Sequence, residues 1–381
     1  MQTNTPSYSL KTLLGGISPR QFMAEYWQKK PLLVRQALPG FQGLLGKNGL
    51  IELACREDAE SRLVLNQRKR WQLEHGPFEA ADLHELPARG WSLLVQGVNH
   101  FLPEADRLLR TFNFVPYTRL DDLMVSFAPP GGGVGPHFDS YDVFLIQGLG
   151  RRRWEISGGD DLSLVEGAPL RILKHFEPEQ SWELEPGDML YLPPKYAHNG
   201  VALSDCMTYS VGFRAPSAQE IAGQFLGYLQ DQLQLEGMYA DPNLQPSRHP
   251  GRIDADLIER LATMIGRIRW RRADIRDFAG RYLSEPKPHI FFDPPAKPLS
   301  ARAFAKAIED RGARLDAKSL LLYQGRRLYL NGESYTVESA GQAALRELAD
   351  RRALGPGRRD AALIACLYDW YCAGFVHPGI E

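Results

Sequence analysis

The segment Gly135-Pro136-His137-Phe138-Asp139, with His198 further along, constrains this chain more than any other feature. Residues two apart in an extended strand share a face and lie about 7 Å apart along the backbone. His137 and Asp139 can therefore converge on one cation from a single strand. Asp188-Met189-Leu190-Tyr191-Leu192 reads as a second strand, framed by the turn signals Pro186-Gly187 and Pro193-Pro194, with His198 just past it. Two neighbouring strands of a barrel would bring His198 opposite the pair. Two imidazoles and one carboxylate are the ligand set of a non-haem Fe(II) oxygenase with open coordination positions. His-x-Asp alone is common and specifies little; inside this Gly-rich frame, with a Pro-Gly-Asp…Pro-Pro…His tail, it is far more specific. The competing reading is a surface His–Asp contact and an unrelated turn histidine.

Tyr141 to Leu149 is rich in aromatic and aliphatic residues, and Arg151-Arg152-Arg153-Trp154-Glu155-Ile156 follows Gly150. Strand alternation sorts the arginines. Arg152 shares its phase with Trp154 and Ile156, which favour the interior, whereas Arg151 and Arg153 go with Glu155 toward water. An arginine pointing into a barrel is costly unless it meets an anion. Its planar fork matches a carboxylate with two parallel hydrogen bonds. Arg152 is thus the candidate clamp for a dicarboxylic acid such as 2-oxoglutarate; the alternative is a solvated arginine run on an edge strand.

A third strand, Asp121 to Ala128, puts Asp122, Met124 and Ser126 on one face and Leu123, Val125 and Phe127 on the other. The first set is either the wall of a polar site or simply the solvent face of a strand whose apolar residues pack the core. The Gly131-Gly132-Gly133 run that follows is not a phosphate loop. It lacks the Gly-Lys-Ser/Thr ending and precedes strand-like sequence.

The run from Phe127 through Trp154, together with Glu185-Pro186-Gly187-Asp188…His198 and Tyr209-Ser210-Val211-Gly212-Phe213-Arg214, resembles the JmjC-type ribosomal oxygenases of the cupin superfamily. Phe22 to Leu32 is similar to that family's opening segment. The match is strongest over residues 20–216. The resemblance implies Fe(II) held by His137, Asp139 and His198, which are then the catalytic centre, and 2-oxoglutarate held by Arg152 with Ser126. Thr208 joins the co-substrate set at a position where relatives carry an amide side chain. Asp122, Met124 and Tyr141 are implied to line the pocket of a substrate arginine, hydroxylated at its β-carbon in the sixteenth protein of the large ribosomal subunit, with dioxygen as second co-substrate. Relatives that hydroxylate histidine supply one alternative and a catalytically silent JmjC-like binding module another. A cupin enzyme needing no keto acid is a third, and usually has a richer histidine set.

At 381 residues and 44% hydrophobic, the chain can bury a large core and is expected to form more than one domain. A formal charge of −1 argues against a general polyanion binder, so direct nucleic-acid binding is not expected. Cys55, Cys206, Cys366 and Cys372 form no C-x-x-C pair and read as reduced thiols. Met1 to Pro6 has no basic-then-apolar signal pattern and no 18-residue apolar run occurs, so a soluble cytoplasmic protein is expected. Three regions follow. Residues 1–216 read as a double-stranded β-helix, the mainly β jelly roll of the cupin and JmjC folds. Residues 217–285 read as helical: Ser217 and Glu220 form a capping-box signature ahead of an Ile221, Phe225, Leu226, Leu229, Leu233 stripe. Leu257, Leu261, Met264, Ile265 and Ile268 make a second stripe, and Arg276, Phe278 and Tyr282 a third; the resemblance implies that this region forms a homodimer. Residues 286–381 read as an α+β winged-helix-like unit: helix 301–311, strands 320–323, 327–330 and 335–337, helices 342–351 and 360–371. Basic and acidic residues nearly balance there, which favours a structural or protein-docking role. His75, His84, His100, His175, His249, His289 and His377 lack ligand-like partners in the sequence.

Overall fold

In the computed structural model, residues 9–67, 70–336 and 339–380 are described; the Met1–Pro6 stretch and Val337 lie outside them. Contacts divide the chain into two compact units. The first runs to Ala215 and takes in Lys287–Ser319 and the stretch from Gly355; the second comprises Pro216–Pro286 and Leu320–Leu354.

Up to Ala215, the described residues of the first unit form five short α-helices, α1 (Leu10–Leu13), α2 (Pro19–Glu25), α3 (Lys47–Ala54), α4 (Ala80–His84) and α5 (Pro103–Arg110), and twelve strands. These are β1 (Leu32–Val34), β2 (Ser61–Gln67), β3 (Arg70–His75), β4 (Trp91–Val95), β5 (Leu120–Ala128), β6 (His137–Phe138), β7 (Val143–Leu149), β8 (Arg152–Ser157), β9 (Gln180–Leu184), β10 (Met189–Leu192), β11 (Ala197–Ala202) and β12 (Cys206–Phe213). Eight form one sheet in the order β1-β10-β7-β12-β5-β4-β2-β3, and four form a second in the order β6-β11-β8-β9. Neighbouring strands in both sheets pair antiparallel, as the jelly-roll reading requires.

Strand alternation explains how one strand serves two layers. Val143 and Leu145 of β7 pack with Trp154 and Ile156 of the smaller sheet, while Phe144 and Ile146 join the large core that includes the helices. Each such side chain contributes about 1.5–3 kcal/mol relative to exposure. The N-terminal segment is lashed to this core by Phe22 of α2, whose ring lies 4.9 Å from that of Tyr191 and 5.5 Å from that of Phe144. Beneath it Asp142, wholly buried, accepts from Tyr191 Oη at 2.6 Å and Gln28 Nε2 at 2.9 Å and pairs with Arg119 at 3.3 Å. Asp188, of the Pro-Gly-Asp signature, has a structural duty: it pairs with Arg35 at 2.6 Å and accepts from the backbone N–H groups of Gln36 and Glu185. Gly187 beside it has φ +93°, and a Cβ there would stand 2.8 Å from the Leu38 carbonyl oxygen, so the turn needs glycine.

The second unit holds α6 (Ala218–Gln232), α7 (Ala255–Ile265) and α8 (Arg272–Ser284). Ser217 caps α6, its Oγ accepting from Glu220 N at 3.0 Å, but the box does not close: the Glu220 carboxylate accepts from Tyr282 Oη. Phe225 and Tyr228 pack against Phe278 of α8. Leu229 and Phe278 are buried, whereas Leu226, Ile258 and Ile265 are 65%, 51% and 64% exposed.

The C-terminal region supplies α9 (Ala301–Arg311), β13 (Ala313–Leu315), α11 (Ala361–Cys372) and β18 (Val376–Pro378) to the first unit. To the second it supplies β14 (Leu321–Gln324), β15 (Arg327–Leu330), β16 (Glu333–Thr336), α10 (Ser339–Arg351) and β17 (Ala353–Leu354). The third expected strand, 335–337, starts two residues earlier than read, because Glu333 and Ser334 pair with Leu330 and Tyr329 across a tight turn. Asp360 is an N-cap, its carboxylate accepting from Leu363 N. Among the described residues, no helix is long and apolar enough to cross a membrane.

Candidate active site

His137 and His198 are directly opposed in register where β6 pairs with β11. Two details depart from expectation. Asp139 lies one residue past β6, because its carbonyl turns away to accept from Lys195 N at 2.8 Å. His198 does not trail the Met189–Leu192 strand. Lys195, at φ +68°, reverses the chain after Pro193-Pro194 and delivers His198 to a strand of its own in the smaller sheet.

The ligand atoms of His137, Asp139 and His198 all lie within 4.8 Å of one another. Each imidazole is oriented the same way, with Nδ1 2.9 Å from the carbonyl oxygen two residues earlier, Gly135 for His137 and Tyr196 for His198. Nδ1–H donation to those carbonyls leaves Nε2 bare and facing the cluster, the second layer of support usual for metal-bound histidine. His198 Nε2 stands 3.7 Å from Asp139 Oδ2. Burial first, and then His137, push the His198 pKa down to about 4, against the opposing pull of Asp139. The ring is therefore neutral near pH 7, the form a divalent metal takes. The donor set fits a facial two-histidine, one-carboxylate metal site.

The triad opens onto a cavity of about 590 Å³. Arg152 lies deep in its lining, 5% exposed, whereas the side chains of Arg151 and Arg153 are 54% and 42% exposed and pair with Glu183 and Glu155. Arg152 Nη1 donates to Thr208 Oγ1 at 3.0 Å and Ser126 Oγ at 3.3 Å. Its Nε is buried without a partner, and among the described residues no carboxylate lies within 4.0 Å of it. Burial pulls its pKa down. A desolvated guanidinium with a bare N–H and two hydroxyls alongside is built for an incoming carboxylate. Trp154 closes over it, with its ring centroid 5.3 Å from the guanidinium carbon and 5.9 Å from the His198 ring.

Of the two readings of β5, the structure agrees with the polar wall and not with the solvent face. Leu123, Val125 and Phe127 are in the core, and Asp122, Met124 and Ser126 line the cavity. Asp122 is 3% exposed; Oδ1 accepts from Gln96 Nε2 at 3.0 Å and Oδ2 from Gly97 N at 3.1 Å. Tyr141, 41% exposed, stands on the same wall. Four further contributors escaped the sequence reading. Gln147, wholly buried behind the cavity lining, accepts from Thr208 Oγ1 at 3.1 Å and donates its amide N–H to Leu149 O at 2.7 Å, so it fixes the Thr208 hydroxyl without reaching the cavity; a lone glutamine amid the apolar run of β7 was the available signal. Ser92 Oγ and Trp154 Nε1 are buried polar atoms without partners on cavity-lining residues. Lys287 reaches the same lining from beyond the helical region. His377 pairs with Asp316 at 2.9 Å, away from the triad.

Comparisons with known proteins agree with this geometry. Residues 107–221 match the JmjC domain model, and residues 267–377 match the ROXA-like winged helix. The chain is 36% identical over 355 residues to the ribosomal protein uL16 3-hydroxylase of Escherichia coli, covering 91% of this chain and 94% of that protein. It is 41% identical over 210 residues to a probable ribosomal oxygenase of Haemophilus influenzae, covering 54% and 52%. The crystal structure of E. coli YcfD superposes with a TM-score of 0.81 at 33% identity, covering 95% of this chain and 98% of that one. A YcfD complex with cobalt and 2-oxoglutarate gives 0.78 at 34% identity and the same coverage. Fold, the two-histidine, one-carboxylate cluster and a buried arginine beside it converge with these comparisons: this chain belongs to the JmjC-type ribosomal oxygenases, the Fe(II)- and 2-oxoglutarate-dependent protein hydroxylases of the cupin superfamily.

Proposed function

We propose that this oxygenase hydroxylates the β-carbon of an arginine in ribosomal protein uL16, the target in the name of its E. coli relative. The observation that carries the arginine reading is a buried carboxylate, Asp122, on the cavity that holds the metal ligands. Fe(II) held by His137, Asp139 and His198 supplies the coupling of dioxygen and 2-oxoglutarate decarboxylation to C–H hydroxylation. The chain's own residues do the rest. Arg152 takes the distal carboxylate of 2-oxoglutarate, with Ser126 and Thr208 flanking it. Asp122 holds the substrate guanidinium, while Met124 and Tyr141 pack along its aliphatic stem, so that its β-carbon faces the ligand cluster.

The three segments 1–216, 217–285 and 286–381 serve as catalytic, dimerising and winged-helix-like parts of a cytoplasmic homodimer. The exposed apolar residues of α6 and α7 support the dimer. The near-neutral charge of the chain supports a protein substrate without direct nucleic-acid binding. The test is product formation, by mass spectrometry, from uL16 peptides carrying arginine, lysine or histidine at the target position. Lysine keeps the charge but loses the planar fork, and should be a poor substrate. Equal turnover of all three, or preference for histidine, overturns the arginine assignment and leaves the oxygenase chemistry standing.

A further inference from the structure

Asp122 is not alone in the cavity wall. Lys287 Nζ lies 3.2 and 3.3 Å from the two oxygens of Asp121 and 3.6 Å from Asp122 Oδ2. Asp121 is also 3.3 Å from Arg214 Nε. Two adjacent carboxylates thus share two cations, and the polar neighbours of Asp122 beyond these are Gln96 and the Gly97 N–H. Lys287 comes from outside the stretch matched by the JmjC domain, residues 107–221. The jelly roll by itself supplies the two carboxylates with one cation, Arg214, which reaches Asp121.

We propose that Lys287 is a positioning residue for substrate recognition: from beyond the helical region it completes the cation-binding end of the active site by holding the Asp121–Asp122 pair charged and aimed into the cavity. The inference rests on the arginine reading above. Two arguments support it. First, a carboxylate 3% exposed beside a second one strongly favours its neutral form unless a cation is close, and burial does press Asp122 toward higher pKa against the pull of Lys287. Secondly, Lys287 contacts both oxygens of Asp121 more closely than it contacts Asp122. It can retain Asp121 when a guanidinium arrives, leaving Asp122 lone pairs for the substrate.

The test uses the full-length, iron-loaded enzyme with two peptides, one carrying the target arginine and one carrying citrulline, its neutral near-isostere. Lys287→Met should raise KM for the arginine peptide about tenfold, as loss of one partner of a partly buried ion pair does, with kcat much less affected. Kinetics on citrulline and substrate-free 2-oxoglutarate turnover should be unchanged, and Lys287→Arg should restore most of the arginine KM. Should the methionine variant melt early, Lys287→Gln carries the same comparison. Wild-type kinetics on arginine in the neutral variants overturns the proposal, as does equal loss on both peptides or failure of the Lys287→Arg rescue. A wild-type enzyme with no preference for arginine over citrulline removes the arginine reading itself; a wild type that prefers arginine beside an unaffected Lys287→Met removes only the role of Lys287.

Discussion

Two of the site's residue roles can be separated by single substitutions. His137→Ala or Asp139→Ala should abolish turnover and strongly weaken Fe(II) binding without unfolding the chain, because the cluster stands at the mouth of β6 and not in the main apolar core. Full activity of either variant with added Fe(II) and 2-oxoglutarate would sink the metal assignment. Arg152→Ala should raise the 2-oxoglutarate requirement about 30-fold or more, from the roughly 2–5 kcal/mol lost when one partner of a buried charged pair is removed. Arg151→Ala and Arg153→Ala should matter little, since both side chains are about half in water beside exposed or partly exposed glutamates. Identical behaviour of all three variants would remove the case for Arg152 as the clamp. That arginine was legible in the sequence because a strand's period of two leaves no freedom once Trp154 and Ile156 face inward. Lys287 was not, because Pro286-Lys287-Pro288 has the composition of a linker and its partners lie far away in sequence.

At the scale of elements, the site depends on close approach of backbones. Gly200 sits on β11 two residues after His198, on the cavity side, and a Cβ there would meet Trp154 ring carbons at 2.7 Å. The backbone φ of Gly200 is not left-handed, so the constraint is space alone. Gly200→Ala must displace the Trp154 ring, which lies against both Arg152 and His198. It should cost about 1–3 kcal/mol of stability, as overpacking does, and raise the 2-oxoglutarate KM. Chemical denaturation and co-substrate titration read the two effects, and an unchanged pair of values would show that Trp154 has room to yield. Strands and turns were readable at this scale from alternation and from Pro-Gly punctuation, which is why β5, β8 and β10 fall within a residue of expectation. The strand carrying His198 was not: Ala197-His198-Asn199-Gly200 has weak strand character, and only pairing with β6 and β8 makes it one.

At the scale of the molecule, the helical region sets the remaining question. Sequence periodicity located α6, α7 and α8, but periodicity reports that a face is apolar, not what covers it. In α7 no residue is buried, and Leu226 of α6, Ile258 and Ile265 stand more than half exposed. The dimer proposed above would make a second copy of the chain the occupant of these faces. We therefore expect the wild-type protein to sediment at twice the chain mass, and the double substitution Leu226→Glu, Ile258→Glu to sediment as a monomer at the same concentration. Both positions are exposed in the single chain, so the charges should leave its fold and its 2-oxoglutarate turnover largely intact. Sedimentation equilibrium, with circular dichroism as the check on folding, measures this directly. A wild-type monomer would remove the dimer outright. A doubly substituted protein that remains dimeric would move the interface away from α6 and α7, because a desolvated glutamate facing its symmetry mate costs far more than an interface of ordinary size can absorb at two positions.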